Sequence, residues 1–412
     1  MPTQKTPGNA LKRLLFTPGM KGKLEANLWK ILLYNISQRR QFVPIMAIFF
    51  LSLPDATAQQ IGIYSGAGAL VAFLFEIPTG YFSDSFGHKA TLIISKLCMI
   101  VASLALIFAR ALPEFILASA FISLGFAFQS GTSSAITHDT LHSLKREKEY
   151  GKISSQISAN ASFVSMLFII ALPFLTPIDI RLPFWIVLGL DIIGLLVVLT
   201  ITTPPSEKHH QQHAHQSIFQ LVKQFNNPRL LAFSLFTGAI AGFFLAGNAF
   251  REAFLQSLGF PIIFIGFVMG LSRLIWFVVG HKTEWLEKFS LEKIMAAEII
   301  VFPLFFILVT WISNPYLAGI FFVIVMGYFW GRGQLLENYF IKNYIKKPRY
   351  KATLLSIDSQ ISSLLQAGAA FGVGFFMQQS YRAGFIAMGV ALFVILLFLY
   401  PKIFPKKITK KK

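Results

Sequence analysis

The chain has 412 residues, of which 55% are hydrophobic and only 13% are charged, and it contains 44 phenylalanines. This composition excludes a soluble globular protein and indicates an integral membrane protein. Lysine and arginine outnumber aspartate and glutamate by 37 to 18, but the basic residues fall in short segments between apolar runs, which is typical of membrane topology and not of nucleic-acid binding.

Twelve apolar runs are long enough to cross a bilayer, because about 20 apolar residues in a helix span its hydrocarbon core. They cover residues 28–53, 61–83, 90–110, 114–138, 154–176, 182–203, 230–256, 260–281, 291–312, 315–339, 353–376 and 382–401. We therefore expect an all-α integral membrane fold with twelve transmembrane helices in two six-helix bundles.

The longest hydrophilic segment divides these runs into two sets of six. We expect an N-terminal arm and first bundle over 1–203, a linker over 204–229, and a second bundle with a basic tail over 230–412. The polar N-terminal arm lacks the apolar core of a cleaved signal peptide. The single cysteine, Cys98, lies inside an apolar run and is expected to be a packing residue.

Lysine and arginine concentrate in alternate loops. The N-terminal arm, the loop at 145–152, the segment 342–351 and the tail are basic, whereas the opposite loops hold only Arg110, Arg181 and Arg382. The positive-inside rule then predicts that both termini and the linker are cytoplasmic, in the inner membrane of a bacterial-type cell. This alternation also requires an even number of spans.

An internal repeat is visible in two glycine-rich stretches. GFAFQSG at 125–131 aligns with GYFWGRG at 327–333, and nearly the same offset aligns Gly80 with Gly280. Two duplicated halves with a binding site at the membrane midplane are typical of secondary transporters. Convergent use of glycine for close helix packing is the alternative.

The most informative stretch is EIPTGYFSDSFGHKATL at 76–92, between the second and third apolar runs. We expect Pro78 to end regular helix hydrogen bonding, and Gly80 and Gly87 to permit a tight turn. The stretch resembles the signature loop of the major facilitator superfamily, in which Gly and Asp are followed by a second Gly and two basic positions. EIPTG and the later SGTSSAITHDTL at 130–141 are similar to its drug-efflux and related bacterial branches.

The resemblance implies a secondary transporter that rocks two halves around a central site. It also implies a conformational latch, in which Asp84 meets the start of the eleventh span and a basic residue bridges it to an acid on the fourth span. The matching residues are Gly80, Asp84, Gly87, His88, Lys89 and Asp139. Histidine stands where arginine is usual, so either the latch is weaker or pH-sensitive, or His88 is a solvated loop residue.

Charged and polar side chains at bilayer depth are functional candidates because burying them is costly. The expected substrate-binding residues are Asn35, Gln38, Arg39, Arg40, Gln129, Arg273, Arg332 and Gln334. Neighbours on a helix diverge by about 100°, so only one of Arg39 and Arg40 can face the cavity, and the sequence leaves open which. A first span that starts near Phe42 would place both at the membrane interface. Asp191 and Glu298 lie on outer spans and are expected to be structural.

The remaining intramembrane charges suggest proton coupling and a gate. Desolvation favours the protonated form of a carboxyl group, so Glu337, Asp358 and then Glu76 are the expected proton carriers. Arg251 and Glu252 form either an extracellular gate or a plain interfacial pair. Because the planar fork of arginine matches carboxylate and phosphate, mixed charges in the cavity favour an anionic or zwitterionic solute such as a drug, a metabolite or a siderophore-like chelator.

Enzymatic function has no support, since GxxxxGK[ST], GxSxG and HExxH motifs are all missing from the sequence. We expect no cofactor and no metal site, and the tract HHQQHAH at 209–215 is expected to be a solvated linker. The expected partners are a small solute, protons and membrane lipids, with no nucleic acid and a monomeric state. Import and export both stay open. A lipid- or lysolipid-translocating or signalling protein on the same fold is the alternative.

Overall fold

The computed structural model describes residues 18–205, 227–281, 288–344 and 351–404. In these ranges the chain folds into fifteen α-helices, without a β-strand. The helices are α1 Pro18–Gln38, α2 Val43–Leu51, α3 Ala58–Phe86, α4 His88–Ile107, α5 Leu112–Gln129, α6 Thr132–Ser143, α7 Tyr150–Ala171, α8 Leu182–Leu199, α9 Pro228–Ser257, α10 Ile265–His281, α11 Leu291–Val309, α12 Pro315–Gly331, α13 Gly333–Tyr344, α14 Lys351–Gln379 and α15 Tyr381–Ile403. Three short 3₁₀ helices lie at Glu147–Glu149, Leu172–Leu175 and Ile262–Phe264.

Each of the twelve predicted spans falls on helix, and ten helical segments of the described chain are long and apolar enough to cross a membrane. The first predicted span is not among these ten segments, because residues 39–42 separate α1 from α2. The ninth, α11, carries Glu292, Lys293 and Glu298 within 19 residues. The all-α integral membrane fold is therefore confirmed, and the protein crosses the membrane many times.

Gly87 alone separates α3 from α4, with a φ of 91° that favours glycine. The expectation that Pro78 ends the preceding helix is wrong, because α3 continues through Pro78 to Phe86. A proline removes one backbone donor from the helical ladder. The next residue, Thr79, ties this part of α3 to α5, since its hydroxyl lies 3.1 Å from the carbonyl oxygen of Ala127 as well as 2.8 and 3.2 Å from those of Phe75 and Glu76.

The alternation of the helices defines two ends of the bundle. We call the end that contains Gly87 and the loop at 144–149 the basic face, and the end that contains residues 52–57 and 108–111 the opposite face. The two chain halves pack mainly through α3 against α14, and through α7 against α10. The backbone N–H of Gln59 donates to Gln378 Oε1 at 3.3 Å, close to the opposite face.

Small residues allow this close approach between the halves. A Cβ added to Gly62 on α3 would lie only 2.3 Å from the carbonyl oxygen of Ala370 on α14. A Cβ added to Gly266 on α10 would lie 2.2 Å from the carbonyl oxygen of Ile169 on α7. Glycine at such points lets membrane helices pack backbone to backbone. The halves are thus held together toward the opposite face, while each half carries a cavity nearer the basic face.

Candidate functional site

Arg40 lies in a buried ion cluster of the first half. Its Nη1 and Nη2 atoms donate to the two carboxylate oxygens of Asp191 on α8 at 3.0 and 2.5 Å. Lys96 on α4 donates to the same carboxylate at 3.2 Å, and Ser103 donates to it at 2.9 Å. Arg40 is 6% exposed, and both Asp191 and Lys96 are fully buried. Arg40 therefore has its own counter-ion, and we leave it out of the candidate site.

Arg39 points a different way from Arg40. It is half-buried and donates to Ser162 Oγ on α7 at 3.3 Å. Its charge lies within electrostatic range of Arg273 on α10, in the other half of the chain. The Nη1 atom of Arg273 is buried and has no hydrogen-bond partner. In the described ranges, no carboxylate forms an ion pair with either arginine, so the arrangement fits an anionic ligand.

A cavity of about 380 Å³ lies in the first half. Its lining comes from α1, α5, α6, α7 and the break between α5 and α6, and we call it the hydroxyl pocket. It is lined by Asn35, Phe126, Gln129, Ser130, Gly131, Ser133, Ser134, Thr137, Ser154, Ile157 and Ser158. Gln129 Nε2 donates to Asn35 Oδ1 at 3.1 Å, and Ser133 Oγ lies 3.4 Å from the same oxygen. The lining of this pocket is polar and uncharged.

A second cavity of about 340 Å³ lies in the second half, and we call it the acidic pocket. It is lined by Phe233, Thr237, Ala241, Phe329, Trp330, Arg332, Gly333, Leu336, Glu337, Phe340, Asp358 and Ser362. The Oδ1 atom of Asp358 is buried without a hydrogen-bond partner, and Glu337 lies within its electrostatic range. Four of the twelve lining residues are aromatic, and the two carboxyl groups come from α13 and α14.

Many apolar helices surround two cavities, and charged groups lie between the halves. This arrangement is typical of a membrane transporter. The sequence model of the Major Facilitator Superfamily matches residues 32–363. The chain belongs to the Major Facilitator Superfamily. It is therefore a secondary transporter of this superfamily and not an enzyme.

Relatives and solved structures agree with this assignment. The uncharacterized MFS-type transporter YxaM of Bacillus subtilis (strain 168) is 23% identical over 407 residues, which cover 89% of this chain and 92% of that protein. The inner membrane transport protein YajR of Escherichia coli (strain K12) is 24% identical over 63% of this chain and 58% of that protein. The crystal structure of a point mutant of the nucleoside transporter NupG superposes with a TM-score of 0.76 at 14% identity, over 90% of this chain and 98% of that chain.

The two pockets of this major facilitator occupy corresponding places in its halves. Both glycine-rich stretches that predicted a repeat end a helix, since α5 ends at Gln129 and α12 ends at Gly331. Sequence reasoning missed a further match, ISSQIS at 153–158 with IDSQIS at 357–362. It aligns Ser154 and Ser158 of the hydroxyl pocket with Asp358 and Ser362 of the acidic pocket. This match supports an internal duplication whose second copy acquired the acid.

The other predicted cavity residues are distributed over several sites. Arg332 lines the acidic pocket, but its Nε atom lies 3.1 Å from Glu298 on α11, so its charge is already paired. Gln38 donates to Ser95 Oγ at 2.8 Å inside the first half. Glu76 accepts from Ser130 Oγ at 2.9 Å, at the edge of the hydroxyl pocket. Gln334 belongs to α13, and its side chain lies outside the described residues.

Arg251 and Glu252 on α9 form an ion pair with each other in the interior. They are 1% and 2% exposed, and Arg251 also contacts the sulfur atom of Met326. A role of the pair as a gate stays a prediction.

The predicted latch residues surround the Gly87 turn. His88 Nδ1 lies 3.0 Å from Ser83 Oγ, and its Nε2 atom lies 3.8 Å from Asp139 Oδ2. Lys89 donates to the carbonyl oxygen of Leu199, the last residue of α8, at 2.8 Å. Asp84 and Gly80 are exposed on α3. The histidine tract at 209–215 lies outside the described residues, and within them no group of three His, Cys, Asp or Glu side chains is placed to hold a metal ion.

Proposed function

We propose that this transporter moves a small organic anion or zwitterion across the cytoplasmic membrane by alternating access, coupled to protons. The observation that carries the proposal is the buried Nη1 atom of Arg273, which has no hydrogen-bond partner, with Arg39 of the other half within electrostatic range and no carboxylate ion-paired to either arginine in the described chain. Unpaired cations in a low-dielectric site repel each other. A bound carboxylate or phosphate removes this repulsion and accepts hydrogen bonds from both guanidinium groups.

An anion between the two arginines also links binding to movement. Arg39 belongs to the first half and Arg273 to the second, so one ligand that pairs with both stabilises a state in which the halves are close around it. The inter-half contacts toward the opposite face and the pockets nearer the basic face are consistent with a state that is open at the basic face. We assign the basic face to the cytoplasm by its lysine and arginine residues.

The proton carriers in this proposal are Asp358 and Glu337. Both line the acidic pocket, where the Oδ1 atom of Asp358 is buried without a hydrogen-bond partner and Glu337 is exposed. Glu76 is a third candidate, but its hydrogen bond with Ser130 gives its carboxylate a local partner. Protonation of the acidic pocket when it faces a more acidic compartment would drive the cycle.

The alternative, translocation of a lysolipid, is less favoured by the pocket chemistry. An acyl chain in the hydroxyl pocket would leave the Nδ2 donor of Asn35 and the hydroxyl groups of Ser154 and Ser158 without hydrogen-bond partners. A phosphate headgroup would still suit the arginine pair. The test below therefore includes a lysolipid.

The test uses the full-length protein in liposomes with an imposed pH gradient. We expect uptake of water-soluble organic anions that depends on the gradient, and a decrease of about tenfold or more in the initial rate in Arg273→Met, because a charge-assisted hydrogen-bond pair is lost. Arg110→Met is the matched control, since Arg110 is exposed in a loop at the opposite face. The proposal would be overturned if anion uptake depended neither on the gradient nor on Arg273 and a fluorescent lysolipid was moved.

A further inference from the structure

The hydroxyl pocket retains both a donor and an acceptor for a ligand. Asn35 Oδ1 already accepts hydrogen bonds from Gln129 and Ser133. Within the described chain, the Nδ2 donor of Asn35 and the Oε1 acceptor of Gln129 have no hydrogen-bond partner of their own. Serine and threonine hydroxyls, which both donate and accept, form most of the remaining wall.

Neither arginine lines the pocket, but two of its lining residues lie close in the chain to Arg39 and to the partner of Arg39. Asn35 precedes Arg39 by four residues, and Ser158 precedes Ser162, the hydrogen-bond partner of Arg39, by four residues. Four residues make about one helical turn, or roughly 5–6 Å along the axis. A ligand whose anionic group lies between Arg39 and Arg273 therefore extends its next few atoms into the hydroxyl pocket.

The chemistry of that extension follows from its surroundings. An apolar extension would leave the Nδ2 donor of Asn35 and the hydroxyl groups of Ser154 and Ser158 unsatisfied. A second anionic group would find no counter-ion in the wall, and a cationic group would find only the Glu76 carboxylate at the edge, which already accepts a hydrogen bond from Ser130. Hydroxyl groups match it, because each one donates and accepts like the wall itself.

We infer that the cargo is a polyhydroxylated organic anion of the sugar-acid type, with its anionic group between Arg39 and Arg273 and its hydroxyl groups in the pocket lined by Asn35, Gln129, Ser154 and Ser158. This inference rests on the proposed function and narrows its substrate class. It assigns the first half to recognition of the hydroxyl groups and the acidic pocket of the second half to the proton.

The test compares three six-carbon probes on the purified full-length protein. Gluconate has a carboxylate and hydroxyl groups, hexanoate has the carboxylate alone, and sorbitol has the hydroxyl groups alone. Affinity is measured from the shift in thermal unfolding with probe concentration. We expect gluconate to bind about tenfold or more tightly than either other probe.

A pair of serine variants then separates the pocket from the arginines. The double variant Ser154→Ala, Ser158→Ala removes two hydroxyl groups from the wall, and we expect it to lose about tenfold in gluconate affinity while hexanoate affinity is unchanged. Ser155→Ala is the control, since Ser155 lies on the same helix but outside the pocket lining.

The outcomes distinguish the two claims. Equal binding of gluconate and hexanoate, both lost in Arg273→Met, would overturn the hydroxyl inference and leave the anion proposal standing. A gluconate preference that survives in the double serine variant would also overturn the inference. If neither anion binds in a manner that depends on Arg273, both this inference and the proposed function fail.

Discussion

Arg40 and Asp191 form a bidentate ion pair between the break that follows α1 and the middle of α8. The pair fixes the backbone between α1 and α2, and Lys96 adds a second cation to the same carboxylate. Because adjacent residues point in different directions, holding Arg40 toward α8 leaves Arg39 directed toward α7 and α10. Asp191 thus positions the residue that we propose to bind the cargo.

Replacing Asp191 tests this anchoring role. Asp191→Asn leaves Arg40 and Lys96 buried without a counter-charge, so we expect a loss of about 3–5 kcal/mol in the free energy of unfolding, measured by unfolding in mixed detergent micelles. The control is Glu149→Gln, which affects only an exposed ion pair with Arg146 and is expected to leave stability unchanged. Unchanged stability of Asp191→Asn would contradict the anchoring role.

The contact between α3 and α14 allows a direct test of alternating access. A Cβ at Gly374 would lie 2.9 Å from the carbonyl oxygen of Gln59, whereas a Cβ at Gly372 would meet no atom within 4 Å. We expect Gly374→Val to separate the halves at the opposite face, and Gly372→Val to leave them together. The measurement is disulfide formation between cysteines placed at Gln59 and Gln378, in a chain with Cys98 replaced.

In that assay, the parent and Gly372→Val proteins should cross-link, because Gln59 and Gln378 are hydrogen-bonded neighbours. Gly374→Val should cross-link several-fold more slowly. Equal cross-linking in all three proteins would show that this glycine contact does not control closure of the opposite face.

The break between α5 and α6 gives a backbone prediction. Gly131 has a φ of 72°, which side chains other than glycine adopt at a cost, so we expect Gly131→Ala to destabilise the protein by about 1 kcal/mol. The repeat-related Gly333 has no such φ, and Gly333→Ala should cost less. Thermal unfolding of both variants measures the difference, and an equal loss for the two would contradict the conformational explanation.

Much of the fold was predictable from hydropathy, since each predicted span falls on helix. The exceptions have local causes. A helical wheel assumes a continuous helix. Because α1 ends at Gln38, the wheel does not predict the different directions in which Arg39 and Arg40 point. Pro78 indicated a helix end, but α3 continues through it to Phe86. Neither effect is encoded in composition or periodicity.

The candidate site was harder to predict because the sequence does not indicate which charges pair. The expected cavity of mixed sign included Arg40, Arg251 and Arg332, yet each has a buried acidic partner, two of them on outer helices. Asp191 and Glu298 were expected to be structural, but the sequence did not identify their partners Arg40 and Arg332. The match between ISSQIS and IDSQIS was available in the sequence and indicates both pockets.

Proton coupling through the acidic pocket is tested by neutralising its two acids. We expect Asp358→Asn and Glu337→Gln to abolish uptake driven by a pH gradient, because neither side chain can then alternate between its protonated and ionised forms. Exchange of cargo without a gradient should continue in both variants. Glu114→Gln is the control, since Glu114 caps α5 at the opposite face, away from both pockets. Normal gradient-driven accumulation in both acid variants would assign the proton to other groups.

The most direct measurement of the central claim is a double-mutant cycle on anion affinity with Arg39→Met and Arg273→Met. If one anion bridges both arginines, each single variant should weaken gluconate binding by about tenfold or more, and the double variant should be little weaker than either single one, because the interaction is already lost. Strictly additive losses, or affinity that is unchanged in both single variants, would contradict a shared anion site between the two halves.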